Sequence, residues 1–451
     1  MGVAARVPPG PRWPKFIQAI AYLTVAGPVM KAMTKRYGSA FTMHLPVVGP
    51  TVTVTDRELA KALFAQPPDA VRGVDANLGV MLGPGSSFGL EGDKHRQHRK
   101  LLLPQFHGKR MRAYEGLIEQ ETLAEIANWP EDQEFSVLDS TLTITLNTIL
   151  RALFGAAGDE LEALRKLMPP LVKVGQRMPF VPWLRHDFGP WSPWMRFKSM
   201  RKELDGIIET QIAKALADPA IEQRTDVLSA LLLARYDDGT PMSRSDITDE
   251  LFTLVVAGHE TTATSLAWSL ERLRRHPDVV ARLVDEIEAG ESRLLQATIY
   301  EVLRTRPVIA STARQVIAPS ISLGPWVIPR GYTVSVNIYL THLNEQLYQQ
   351  AEAFDPDRFL DAAVDLYSWI PFGGGNRRCP GAAFAHMEME VVLRTILREF
   401  ELVPTSAPGE RWQSKGVAFG PAHGARVVVR RRRRTAAAGG EASSAERSAP
   451  W

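Results

Sequence analysis

The spacing of apolar and polar positions changes period along the chain, and each change marks an element. Residues 40–45 (AFTMHL) and 51–55 (TVTVT) are short β-rich runs parted by a turn at Gly49 and Pro50, which predicts a hairpin. Asp56 begins a helical pattern that runs to Ala65, and residues 67–88 are apolar but broken by Gly and Pro, the pattern of a flexible loop. Helical periodicity then dominates over 93–103, 110–128, 140–154, 159–174 and 198–218. Prolines and tryptophans interrupt it at 178–194, a connection long enough to expect a functional lid. Ser243 and Asp246 open a long helix in the manner of a capping box, and Pro277 ends it after His276. A helical stretch at 294–305, strand patterns at 308–316 and 321–336, a helix-like run at 382–400 and a last strand-like run at 425–429 complete the pattern. The fold class expected is mainly α, as a helix-rich α+β protein with small sheets.

Length alone, 451 residues, favours two or three domains. No linker or break in composition divides residues 40–430, so one large unit over 15–430 is expected, between a proline-rich segment at 1–14 and a basic, then disordered tail at 431–451. With 45% hydrophobic residues the chain can bury a substantial core, and a net charge of +3 is too mild to imply nucleic acid. The cluster Arg430–Arg434 carries much of the basic excess and is expected to be a solvated terminal run. The apolar run at 16–30 follows Arg6, Arg12 and Lys15, but it is short for a bilayer and broken by Gln18, Gly27 and Pro28. A cytoplasmic protein with at most peripheral membrane contact is expected.

Candidate chemistry centres on Cys379, the only cysteine, within FGGGNRRCPG at 372–381. One cysteine makes neither an internal disulfide nor a structural zinc site, which leaves a nucleophile or a single axial metal ligand. Three glycines allow the chain to pass close to a flat cofactor, and Arg377 and Arg378 place positive charge beside the sulfur. The helix-like run after Pro380 and Gly381 adds its amino-terminal end, which also favours an anion. A second signal is AGHETT at 257–262, where Gly258 in mid-helix costs about 1 kcal/mol against Ala. A helix that accepts that cost is making room or supplying a hydroxyl. His259 and Glu260 resemble the start of a zinc-protease HExxH, but residue 263 is Ala, so that reading fails. Glu301 and Arg304 stand at i,i+3 on one helix face, a spacing that in isolation marks only a surface pair.

Together these stretches resemble the cytochrome P450 family, in family order, over nearly all of residues 15–430: Phe372, Gly375, Arg377, Cys379 and Gly381 fall on its haem-binding loop, and 257–262 on its oxygen-activation motif. The resemblance implies haem b with Cys379 as the iron's proximal ligand. Glu260 and Thr261 become the acid–alcohol pair that delivers protons before the O–O bond of dioxygen breaks, an ordinary use of positioned acids. Arg358, in FDPDRF, joins Glu301 and Arg304 in a buried structural triad. His95, Arg99, Arg314 and Arg377 match positions that bind the haem propionates, while Phe372 and Gly381 contact the cofactor. A departure is Val308, where relatives often carry a second proline.

The implied function is a haem-thiolate monooxygenase that inserts one atom of dioxygen into a C–H or C=C bond. Its electrons come from NAD(P)H through a ferredoxin and a ferredoxin reductase. Alternatives are a haem-thiolate peroxygenase or isomerase, against which the intact Glu260–Thr261 pair argues, and a non-catalytic haem-containing lipid binder. By family position the substrate pocket includes Val255, Ala257, Ile309 and Phe419, within stretches near 74–88, 178–183, 254–261, 308–313 and 417–419. These stretches are mostly apolar, so a lipophilic small molecule is the substrate class expected.

Overall fold

The computed structural model of the chain describes residues 5–433, apart from 46–47, 75–77, 156–157, 177, 179–181 and 362. The expected tail at 435–451, Arg434 and parts of both expected pocket loops therefore lie outside the described residues.

The long helix Arg244–Leu273 is the axis of the body, and Ser243 caps it by accepting from the Asp246 N–H at 3.1 Å. The helix Val137–Phe154 packs along it. Among the described residues only this helix has the length and apolarity of a membrane span, and 72% of it is buried inside the protein, where it forms core. Small polar residues make its crossing with the long helix close. Thr141 donates to the Ala263 carbonyl and Thr145 to the His259 carbonyl, each at 3.0 Å. A Cβ on Gly258 would sit 3.3 Å from Ile149 Cδ1, so this glycine serves the crossing of the two helices.

A second apolar cluster lies under a five-stranded sheet ordered Ala40–Leu45, Gly49–Val54, Thr333–Asn337, Ser311–Val316, Val71–Gly73. The Gly49–Val54 and Thr333–Asn337 pair is parallel and the others antiparallel. The hairpin expected at 40–55 is present, whereas the expected strand at 321–336 is three shorter ones, Ser320–Leu323, Trp326–Pro329 and Thr333–Asn337. The apolar run at 16–30 belongs to the helix Lys15–Tyr37, which leaves Phe16 and Ile20 exposed. The prolines before it join the sheet region, since Pro9 O accepts from Thr42 N and Arg6 bridges Val327. The arginines at 430–432 are engaged as well: Arg430 pairs with Asp132 at 2.5 Å, Arg431 with Glu131, and Arg432 donates to the Leu397 carbonyl.

Residues 67–88 differ most from a flexible loop. They contain the strand Val71–Gly73 and the helix Leu78–Leu82, and carboxylates of the long helix tie down the turn that follows. Asp249 accepts from the Gly85 N–H at 3.0 Å and pairs with Arg201 at 2.5 Å, while Arg201 also donates to the Leu82 carbonyl. Glu250 accepts from Ser87 N–H and Oγ and meets His98 Nε2 at 3.1 Å, with both Glu250 and His98 almost fully buried. Charged groups this deep hold position because an unpaired partner would cost about 1–3 kcal/mol. Asp249→Asn is therefore expected to speed amide hydrogen exchange at Gly85 to Leu90 while the rest of the protein keeps its protection. Unchanged exchange there would show that the turn is held by packing alone.

Candidate active site

The cysteine loop is shaped by its own backbone and by Phe64. The Cys379 N–H donates to the Phe372 carbonyl at 2.9 Å, and Gly373 and Gly375 take positive φ of 66° and 67°. A Cβ on Gly375 would lie 2.6 Å from the Phe64 carbonyl, and one on Gly374 would overlap the Phe64 ring. Two of the three glycines thus make room for the helix Arg57–Phe64. Gly381 stands at the start of the helix Ala382–Glu399, and its N–H bonds the sulfur. The sulfur is accessible, yet protein surrounds it closely enough that burial pushes its thiol above the ordinary range, against the Gly381 N–H and the charges of Arg99 and Arg378. Accessibility and dense surroundings coexist for a side chain that faces an interior slot. Ala257 is likewise accessible in the middle of an otherwise buried helix.

Arg377, read from the sequence as a charge beside the sulfur, points elsewhere. It donates to the carbonyls of Ser87 at 3.0 Å and Leu90 at 2.6 Å and pairs with Glu91 at 2.5 Å. The positive charges that bear on the thiol are those of Arg99 and Arg378. Arg314, 5% exposed, donates to the Gly374 carbonyl, and burial with the charge of Arg377 lowers it to about 10. His95 is lowered to about 3 by burial and by the charges of Arg377, Arg99, His98 and Arg314. Arg72, Arg314, His95, Arg377 and Glu91 line one small recess. Three buried or half-buried arginines, Arg99, Arg314 and Arg377, thus surround the buried and neutral His95, and among the described residues Glu91 is the carboxylate that offsets them. Such a cluster is costly unless an anion completes it. A haem fits such a donor set: His95, Arg99, Arg314 and Arg377 would hold its two propionates and Cys379 would hold its iron. Among the described residues no group of three His, Cys, Asp or Glu side chains would hold a lone metal ion.

On the long helix, Thr261 donates to the Ala257 carbonyl at 2.6 Å. Burial raises Glu260 above the usual carboxylate range, although it accepts from Gln176 Nε2 at 2.9 Å and feels Lys415. Glu260 is thus biased toward its acid form, from which a carboxyl can donate a proton. The strands Trp412–Lys415 and Ala418–Pro421 bring Phe419 to this region: its N–H bonds the Val308 carbonyl, and its ring stacks on Trp412. Ile309 is half-buried beside it, whereas Val255, 2% exposed, packs in the main core.

The triad assembles as spaced. Glu301 and Arg304 are 0% exposed and bidentate, both contacts 2.6 Å, and Arg358 Nε reaches Glu301 at 3.3 Å. The other Arg304 donors go to the carbonyls of His342, Ala351 and Ala353, so all five are used. His342, which sequence reasoning missed, relays this frame to the cysteine loop. Its Nδ1 donates to the Arg304 carbonyl and its Nε2 accepts from the Ile370 N–H, with burial lowering it to about 3 and so keeping it neutral. Trp369 adds a bond to the Tyr300 carbonyl. Neither residue stands in a recognisable spacing, because their partners are backbone atoms. A separate groove lined by Asp159, Glu162, Lys166 and Glu203 shares no residue with this site.

Comparison with known proteins agrees with this geometry. The family model described as Cytochrome P450 matches residues 7–423. Cytochrome P450 138 of Mycobacterium tuberculosis is 50% identical over 425 residues, covering 94% of this chain and 96% of that one. Cytochrome P450 135B1 of the same organism is 39% identical over 94% of this chain and 91% of that protein. Among solved structures, the retinoic acid-bound cyanobacterial CYP120A1 superposes with a TM-score of 0.83 at 22% identity, over 95% of this chain and all of that one, a likeness of fold.

Glu301→Ala is expected to leave the buried Arg304 without its carboxylate and Arg358 with Asp355 alone as an ionic partner, at a cost of roughly 3–5 kcal/mol. The purified variant should contain little haem. Full haem content with only slowed turnover would remove the triad from its structural role.

Proposed function

Because the chain belongs to the cytochrome P450 family, and so is a haem b-dependent monooxygenase, we propose that Cys379 is the proximal iron ligand and that the substrate is a lipophilic small molecule. The observation that carries the reading is the lone accessible cysteine facing an interior slot beside His95, Arg99, Arg314 and Arg377. When bound, haem supplies the iron at which dioxygen is split and one oxygen atom is passed to a C–H or C=C bond.

The chain's own residues do the rest. The Gly381 N–H and the charges of Arg99 and Arg378 favour a thiolate at Cys379. Arg377 holds the cysteine loop to the turn at 87–90, and Arg314 holds its Gly374 carbonyl to the strand Ser311–Val316, so the same guanidiniums that would meet the propionates fix the loop. Glu260, raised by burial, holds a proton near the slot, and Thr261 passes protons onward. Ala257, Ile309 and Phe419 line the substrate side with apolar surface that excludes water. No cation stands among these three residues to select a carboxylate head group, which favours a neutral, lipophilic substrate. A cytoplasmic location fits this reading.

The reduced carbon monoxide complex is expected to show the red-shifted Soret band of thiolate ligation, and Cys379→Ser to lose it. With ferredoxin, reductase and NADPH present, oxygen uptake should depend on substrate. An imidazole-type spectrum from well-folded wild-type protein would overturn the ligand assignment, and oxygen-independent turnover would favour an isomerase.

We propose a ferredoxin as the electron donor, docking near the helix Gly92–Leu102, where Arg96 and Lys100 are exposed. Their surface pairs with Asp93 and Asp237 are solvent-screened and easily exchanged. Reversing both to Glu should slow reduction by an acidic ferredoxin, most at low salt, where the Debye length exceeds ~10 Å. Equal rates for mutant and wild type at low ionic strength would place the docking face elsewhere.

A further inference from the structure

Glu388 takes part in nothing described so far. It lies on the helix Ala382–Glu399, which starts at the cysteine loop and packs against the long helix, and it is 1% exposed. A carboxyl without water must find its partners inside the protein. Glu388 shares a hydrogen bond with the Thr262 hydroxyl, its Oε1 has no hydrogen-bond partner, and among the described residues it forms no ion pair. An orphaned carboxyl oxygen at a helix crossing calls for a reason, because a Met or Leu would pack there without the desolvation cost. Thr262 supplies one. It directly follows Thr261 at the end of the AGHETT turn and is 4% exposed.

We infer that Glu388 is a positioning residue for oxygen activation, anchoring Thr262 from the helix that follows the cysteine loop and so setting the place of Glu260 and Thr261. The link is short. One hydrogen bond connects the helix that begins beside the sulfur to the turn that carries the proton-delivering pair. It holds that turn at a set distance from the cysteine side, where packing alone would let the two helices slide. Burial without a neighbouring cation raises Glu388 well above the usual carboxylate range and so favours its neutral acid form. A neutral acid can donate to Thr262 Oγ, which frees the threonine hydroxyl to donate in turn.

This inference rests on reading Glu260 and Thr261 as the proton-delivering pair, and its test is built to fail separately. Coupling is measured as hydrogen peroxide released per product formed, with ferredoxin, reductase and NADPH supplying electrons. Thr261→Ala tests the pair. Glu388→Leu removes the anchor and should raise the peroxide ratio about fivefold, the net worth of one ordinary hydrogen bond, with haem content retained. Glu388→Gln keeps a neutral side chain that can donate to Thr262 and should restore coupling. If the leucine variant yields no holoprotein, Thr262→Val removes the same bond from the other helix and should uncouple equally. A readout independent of turnover is the infrared carbonyl band of a buried protonated carboxyl, expected in wild type with or without haem and lost in Glu388→Gln. Wild-type coupling in both Glu388→Leu and Thr262→Val, with Thr261→Ala uncoupled, overturns this inference alone. So does a glutamine variant as uncoupled as leucine, or the absence of the infrared band at neutral pH. Full coupling in Thr261→Ala would instead overturn the reading of the pair.

Discussion

The Glu301–Arg304 pair is the constraint on which the rest of the site hangs. Both groups are removed from water, so their charges are tolerable only with every donor and acceptor met, and Arg304 meets all five of its donors. The fan of acceptors around one guanidinium draws together the helix Arg293–Thr305 and backbone from residues 342, 351 and 353. His342 then passes the position of the Arg304 carbonyl to the Ile370 N–H, two residues before the cysteine loop begins. The place of the sulfur is thus set by a chain of short polar contacts that starts at a buried ion pair. Planar guanidinium geometry makes that chain stiff.

The electrostatics of the slot run in the opposite sense. Around the triad, charges are matched, whereas beside the cysteine the charges of Arg377, Arg99 and Arg314 all bear on His95, that of Arg377 bears on Arg99 and Arg314 as well, and Glu91 alone faces them among the described residues. A protein stores such an imbalance where an anionic ligand restores the balance. The two propionates of a haem would do so. The neutral state of His95 follows from its burial first and from the same crowding second, and leaves it a hydrogen-bonding group.

Polar contacts also connect the reaction's parts to each other. Asp249 and Glu250, two turns before the AGHETT segment, hold the turn at 85–87, and Arg377 from the cysteine loop holds the same stretch at Ser87 and Leu90. The wall over the slot therefore moves with both the oxygen-activation helix and the cysteine loop. Glu260 is tied to Gln176 across the opposite side.

Much of this was legible in residue order. The lone Cys379 with its glycines, AGHETT, and the i,i+3 spacing of Glu301 and Arg304 are local patterns whose chemistry depends on near neighbours, and a period of 3.6 or 2 located most helices and the first hairpin. Where partners lie far apart in sequence, only the tertiary structure decided. Residues 67–88 read as a loose loop because the carboxylates that pin them are more than 160 residues away. Gly374 and Gly375 read as room for a cofactor and proved to be room for Phe64, and Gly258 for Ile149. Arg377 read as a charge for the sulfur, yet its guanidinium reaches backbone carbonyls some 290 residues away in sequence, and Arg99 takes its place. His342 and Glu388 gave no signal at all, since a buried polar side chain is recognised by what surrounds it, and burial is a property of the packed chain.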